Sequence, residues 1–298
     1  MSWKGIDHMS VLQAIFLGIV QGFTEFLPVS SSGHLAIFQN ILHIETDSSV
    51  LFDVMLHVGT LLVVLVVYWK DILKLIVEFF RMIGDLFANL SMLFSSGRKQ
   101  PHYRKIVRTN YRKFVVLIIV STIPTGIMGY LGSKLIKDAS GTLIVPGICL
   151  LITGVLLLLS DRRADCWKIP KDVSYGEGVL IGIAQGFATL PGLSRSGSTI
   201  AAATFCGLDR KFAVKYSFIL SIPAIIGAAV LELSDISSEA VTGRLIGTYA
   251  AGMIAAAVVG YLAIRFMLRI VQNRKLKYFS YYCFAVGVLS IIGQFVFM

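Results

Sequence analysis

Six apolar runs, near Leu51 to Trp69, Phe114 to Ser133, Thr142 to Ser160, Phe212 to Leu231, Arg244 to Leu268 and Phe279 to Phe297, are separated by short polar stretches. Each approaches the about 20 residues a helix needs to cross roughly 30 Å of hydrocarbon, so the pattern predicts six spanning helices. Two further blocks, 11–43 and 176–207, break the pattern: each holds two apolar pieces around a proline and a Ser-Gly cluster. Neither piece spans alone, and exposed backbone in lipid is costly, so each block predicts a re-entrant hairpin with its tip buried in protein. The stretch Ile72 to Phe94 is apolar too, yet Lys70, Lys74, Glu78, Arg81, Asp85 and Asn89 recur every third or fourth position and draw a polar stripe. That spacing predicts an amphipathic helix lying on the membrane surface.

One hairpin and three spans make each half, and an odd number of crossings turns the second half upside down. The expected fold is an all-α polytopic membrane protein built as an inverted repeat. A single membrane domain covers 1–298, with half one at about 10–160, including hairpin 11–43 and the cytoplasmic segment 70–112, and half two at about 174–298, including hairpin 176–207. Hairpins entering from opposite faces can bring their tips together near the bilayer centre.

Composition agrees with this picture. With 56% hydrophobic residues, 15% charged residues and a mean hydropathy of +0.78, the chain has too little charge for a soluble surface. The net charge of +10 does not mark a nucleic-acid binder, because the basic residues fall between apolar runs. One face collects Lys70 through Lys113, Arg162 through Lys171, Arg210 through Lys215 and Arg265 through Lys277; the other holds Lys4, Lys134, Lys137 and Arg244 beside Glu232, Asp235 and Glu239. The positive-inside bias makes the first face cytoplasmic and leaves both termini outside. Cys149, Cys166, Cys206 and Cys283 share no metal-type spacing and are expected to pack, and the first apolar run lacks a leader's cleavage pattern.

The two broken blocks carry the chemistry. Gly18-Ile-Val-Gln21-Gly22-Phe23-Thr-Glu25-Phe-Leu-Pro28-Val-Ser30-Ser31-Ser32-Gly33-His34 and Gly182-Ile-Ala-Gln185-Gly186-Phe187-Ala-Thr189-Leu-Pro191-Gly-Leu-Ser194-Arg195-Ser196-Gly197-Ser198-Thr199 repeat one text. Each restarts a helix after proline, and a helix start offers unpaired N–H groups and a positive dipole end to a phosphate. Arg195 adds a planar fork that matches phosphate oxygens. Ser31 and His34 share a helical face and could meet as hydroxyl and base, with water attack activated by His34, or attack by His34 itself, as the alternatives. Glu25 could hold a cation or orient His34, and Gln21 lies one turn before it. Charges at a helix centre cost about 2.5 to 3.5 kcal/mol, which makes Glu25 and Arg195 functional candidates. The Gly18/Gly22 and Gly182/Gly186 pairs are explained by close helix packing, and Asp53 and His57 could line an entrance or supply a metal ligand.

At these blocks the sequence resembles the undecaprenyl-diphosphate phosphatase family of the bacitracin-resistance type. The family's (E/Q)xxxE motif is matched by Gln21 to Glu25 and followed by Pro28-Val-Ser-Ser-Ser-Gly-His34, and its PGxSRSxxT motif is matched by Pro191 to Thr199. The resemblance implies an integral enzyme of the bacterial cell membrane that removes the terminal phosphate of a C55 polyprenyl diphosphate, assisted by Mg²⁺ or Ca²⁺. Its active-site residues fall on Gln21, Glu25, Ser31, His34, Ser194, Arg195 and Thr199. The expected roles are catalysis by Glu25, Ser31, His34 and Arg195, substrate binding by Gln21, Ser30, Ser194, Ser196 and Thr199, and a cation at Glu25. Many members have Glu where this chain has Gln21, so Glu25 carries more of any metal site. The expected partners are undecaprenyl diphosphate and membrane lipid, with the site open to the outer leaflet. The rival class is a secondary transporter or lipid flippase on the same inverted repeat, and the small-residue face from Ala250 to Gly260 could support a homodimer.

Overall fold

The computed structural model describes residues 9–41, 49–94, 103–132, 142–234 and 243–297. Lys4, Arg98, Lys99, Lys134, Lys137, Asp235 and Glu239, which enter the charge bias, lie outside the described residues. Within them are eleven α-helices: α1 (Val11–Phe26), α2 (Ser31–Ile41), α3 (Ser49–Val67), α4 (Trp69–Phe94), α5 (Asn110–Leu131), α6 (Ile144–Arg162), α7 (Tyr175–Phe187), α8 (Arg195–Phe205), α9 (Arg210–Ser234), α10 (Gly243–Gln272) and α11 (Lys277–Phe297). Of these, α5, α6, α9, α10 and α11 are each long and apolar enough to cross a membrane, and α3 with α4 passes the same test as a bent pair. The protein is a polytopic, multi-pass membrane protein.

The two broken blocks become the helix pairs α1/α2 and α7/α8. Both first helices start with the same device. Ser10 accepts from the Gln13 amide while Gln13 accepts from the Ser10 amide, and Ser174 and Glu177 make the equivalent exchange. At 16 and 13 residues, α1 and α7 are too short to cross a bilayer. The chain leaves α1 in an extended conformation at Leu27, before Pro28, whose ring has no N–H for a continuing helix.

The glycines of each block let backbones touch. Gly18 and Gly22 press on Gly252, Ala256 and Gly260 of α10, while Gly182 and Gly186 press on Ser121, Pro124 and Met128 of α5. The small face of α10 from Ala250 to Gly260, expected to be available to a second copy, is therefore used inside the chain by α1. Helices α6 and α11 close on each other through Gly147, Gly154 and Gly287, and α3 packs on α9 and α10.

Helix α4 turns 83° away from α3. Its polar stripe faces protein: Asp71 accepts from Tyr111 and Lys215, Glu78 from Arg112, and Asp85 from Arg112 at 2.6 Å and from Arg104 at 3.2 Å. Leu73, Val77, Phe80 and Phe87, on the opposite side, are exposed. The hydrogen bonds from Arg112 hold the Glu78 and Asp85 carboxyls below their ordinary values. Their contribution is complete above the usual carboxylate range near about pH 4 and is lost as pH falls through the lowered values. Acidification from about pH 6 to about pH 3 should therefore raise hydrogen exchange in α4 before the spanning helices open. Equal protection of α4 at both pH values would contradict this.

Candidate active site

The helix breaks bring the two blocks into contact. A Cβ on Gly33 would lie 3.2 Å from the Gly192 Cα, and one on Gly197 would lie 3.2 Å from the Pro28 Cβ. The Ser196 hydroxyl donates to the Leu27 carbonyl. This close approach requires unusual backbone on both sides: Gly192 has φ +89° and the non-glycine Ser30 has φ 67°. Each new helix is then capped, since the Ser30 hydroxyl accepts from the Gly33 amide and the Ser194 hydroxyl accepts from the Gly197 amide.

Glu25, on the last turn of α1, is the hub. Its Oε1 accepts from Arg195 Nη2 across 170 residues of sequence. Its Oε2 accepts from the Ser31 hydroxyl at 2.6 Å and from Gln21 Nε2 at 3.1 Å, and lies 3.8 Å from His57 Nε2. The Glu25 side chain is only 3% exposed, so removing one partner leaves a buried group short of compensation. Glu25, Phe26, Arg195, Ser196, Ser217, Phe218 and Ser221 line a small pocket beside this hub.

The other candidates divide by what they touch. Ser194 caps α8 and its amide donates to the Thr153 hydroxyl, so it shapes the turn. Thr199 is fully buried, with its hydroxyl between the Arg195 carbonyl and Ser217 Oγ at 2.6 Å; it holds the Arg195 turn from behind. The expected hydroxyl-base meeting of Ser31 and His34 does not form. Ser31 turns to Glu25, while His34 Nδ1 lies 2.7 Å from the Ser30 carbonyl and Nε2 lies 2.7 Å from the Tyr282 hydroxyl. Spacing put them on one face, but Ser31 is taken by the Glu25 carboxylate, and both ring nitrogens of His34 are taken by the Ser30 carbonyl and the Tyr282 hydroxyl.

Ser217 and Ser221 had no sequence signal beyond being hydroxyls one turn apart in an apolar run, and Tyr282 had none. Of Asp53 and His57, His57 reaches the hub and Asp53 accepts from Gln39. Among the described residues no three His, Cys, Asp or Glu side chains converge as a metal site. Gln21 does, however, keep a buried Oε1 without a partner next to Glu25. Two side-chain oxygens there fit a hard cation that takes its remaining ligands from substrate and water.

The family model for the bacitracin resistance protein BacA matches residues 14–289. The chain belongs to the bacitracin resistance protein BacA family. Curated relatives match it over nearly their full length. The undecaprenyl-diphosphatase of Methanosphaera stadtmanae is 42% identical over 289 residues, covering 95% of this chain and 98% of the relative. That of Alkaliphilus metalliredigens is 40% identical, with 95% and 98% covered, and that of Desulforapulum autotrophicum is 37% identical, with 97% and 100% covered.

Proposed function

We infer that this BacA-family chain is an undecaprenyl-diphosphate phosphatase, an integral membrane hydrolase. It converts the C55 polyprenyl diphosphate to the monophosphate and inorganic phosphate, recycling the lipid carrier for cell-wall synthesis and conferring bacitracin resistance. The observation that carries the chemistry is one buried carboxylate, Glu25, shared between a nucleophile candidate, Ser31, and a phosphate-binding guanidinium, Arg195.

The diphosphate draws Arg195 from Glu25, because a bidentate phosphate contact satisfies more of its donors. The amides at the starts of α2 and α8 add positive potential. Ser31 Oγ attacks the terminal phosphorus, its proton passes to Glu25, and the bond from phosphorus to the bridging oxygen breaks, releasing the lipid monophosphate. Water then cleaves the phosphoseryl bond, freeing inorganic phosphate and restoring Ser31. A divalent cation held by Glu25 and Gln21 Oε1 would neutralise charge on the diphosphate oxygens. Ser30 and Ser196 support the turns beneath the phosphates.

The two halves are an inverted repeat in which α1/α2 and α7/α8 are re-entrant. Exchanging α1 with α7, α5 with α10 and α6 with α11 maps the α1–α10 contact onto α7–α5 and returns the α6–α11 contact to itself, which supports the symmetry. The basic residues on one face support a cytoplasmic α4 with its apolar side in the inner leaflet, and the site is read as open to the outer leaflet.

The deciding test is phosphate release by purified protein in detergent, where no second compartment exists, with and without chelator. Turnover that chelator suppresses is expected, along with a phosphoserine at Ser31 in acid-quenched samples. Absence of phosphate release would favour the transporter; chelator-resistant turnover would remove the cation, and a quench without phosphoserine would point to direct attack by water.

A further inference from the structure

We propose that Tyr282, on α11 and outside both repeated blocks, is the positioning residue of His34, fixing its tautomer and ring angle. The functional part rests on the reading that His34 takes part in the phosphatase reaction; the contact itself does not.

His34 is 4% exposed, and its two ring nitrogens have different partners. The Ser30 carbonyl, 2.7 Å from Nδ1, can only accept, so Nδ1 carries the proton. In the neutral ring Nε2 is then a lone pair, and the Tyr282 hydroxyl, 2.7 Å away, donates to it. The two ring planes are also nearly parallel, 5.6 Å between centroids and 10° between planes. Both anchors are rigid. Ser30 is held in the left-handed region at φ 67°, and its carbonyl also accepts from the His34 amide. On α11 the Ser280 hydroxyl donates to the Gly154 carbonyl, and Cys283 Sγ lies 3.6 Å from the Pro28 carbonyl. The helix that carries Tyr282 is thus pinned both to α6 and to the break between α1 and α2.

The consequence is a pre-set acceptor. Because Nδ1 is committed to a backbone carbonyl, Nε2 is the nitrogen that can take a proton, and the Tyr282 hydroxyl keeps it from turning over. In the second half-reaction the Tyr282 hydroxyl turns aside and the attacking water gives its proton to Nε2 as its oxygen bonds to phosphorus, while the bond from Ser31 Oγ to phosphorus breaks and Ser31 Oγ takes back the proton held by Glu25. The Nδ1 bond to the Ser30 carbonyl holds the imidazole at its angle while the hydroxyl is displaced.

The test uses full-length protein labelled with ¹⁵N-histidine, with the His34 signals assigned by loss in His34→Gln. In the parent, His34 should show a protonated Nδ1 and a hydrogen-bonded, unprotonated Nε2. Tyr282→Phe keeps the neighbouring ring and removes the hydroxyl. It should move the Nε2 resonance, leave Nδ1 protonated, and lower kcat about five- to tenfold with KM unchanged, the size of one lost hydrogen bond. Tyr282→Leu, which also removes the ring beside the imidazole, should mix the tautomers and lower kcat further. Parent-like resonances and parent-like kcat in Tyr282→Phe would overturn the proposal. A shifted resonance in Tyr282→Phe together with full activity in His34→Gln would instead overturn the role of His34, while the Tyr282 contact stood.

Discussion

Replacing Arg195 with alanine should cut phosphate release from the prenyl diphosphate by about 10³-fold or more, the usual range for losing an arginine that neutralises a transferring phosphoryl group. The same change should destabilise the fold. Glu25 is left buried with Ser31, Gln21 and the His57 imidazole against it but no cation as close as Arg195, and breaking a buried pair from one side costs about 3 to 5 kcal/mol. Glu25→Gln leaves the other half, but Arg195 is 22% exposed and can turn toward water, so that variant should melt closer to the parent while remaining inactive. Combining the two changes should recover melting temperature relative to Arg195→Ala without recovering turnover. Phosphate release and thermal melting in detergent, measured on all three variants, separate these effects. An Arg195→Ala enzyme within tenfold of the parent would remove Arg195 from the active site.

Gly18→Val should have the largest structural effect. A Cβ at Gly18 would sit 2.2 Å from the Gly252 carbonyl oxygen, and because the obstacle is backbone, no side-chain rotation relieves it. Overpacking of this kind costs about 1 to 3 kcal/mol where side chains can adjust, and more where helices must part. Here α1 and α10 must separate, and Glu25, two turns further along α1, goes with them. The expected result is a lower melting temperature and at least a tenfold loss of turnover in whatever protein remains folded. Gly227→Ala is the control: no atom lies within 4 Å of the added Cβ, and replacing a helical glycine stabilises by roughly 0.5 to 1 kcal/mol. A Gly18→Val protein as stable and active as Gly227→Ala would mean that the α1–α10 contact does not hold the carboxylate.

Most of the helices were legible as hydropathy. The apolar runs ending near Ser133, Ser160 and Leu231 are α5, α6 and α9 within a few residues, because in lipid a helix must satisfy its own backbone and its length follows the hydrocarbon. The breaks were legible as Pro28 and Pro191 followed by serines, and the stripe of α4 as a period of three to four. The residues of the hub were legible as well, since Glu25 and Arg195 are out of place in apolar text.

Partner choice was not legible. Spacing along one helix says which side chains share a face, so Ser31 was matched with His34. Which atom each one bonds depends on what other helices deliver: Glu25 from α1 to Ser31, and Tyr282 from α11 to His34. Likewise the glycines of α10 read as a surface for a second copy until α1 was found lying on them. The chain's own text determined where helices run, where they break and which polar side chains enter the membrane, because those follow from local hydrophobicity and backbone chemistry. Only the packed structure decided which polar groups meet, because a buried hydrogen bond is chosen among every donor and acceptor that distant helices bring within reach.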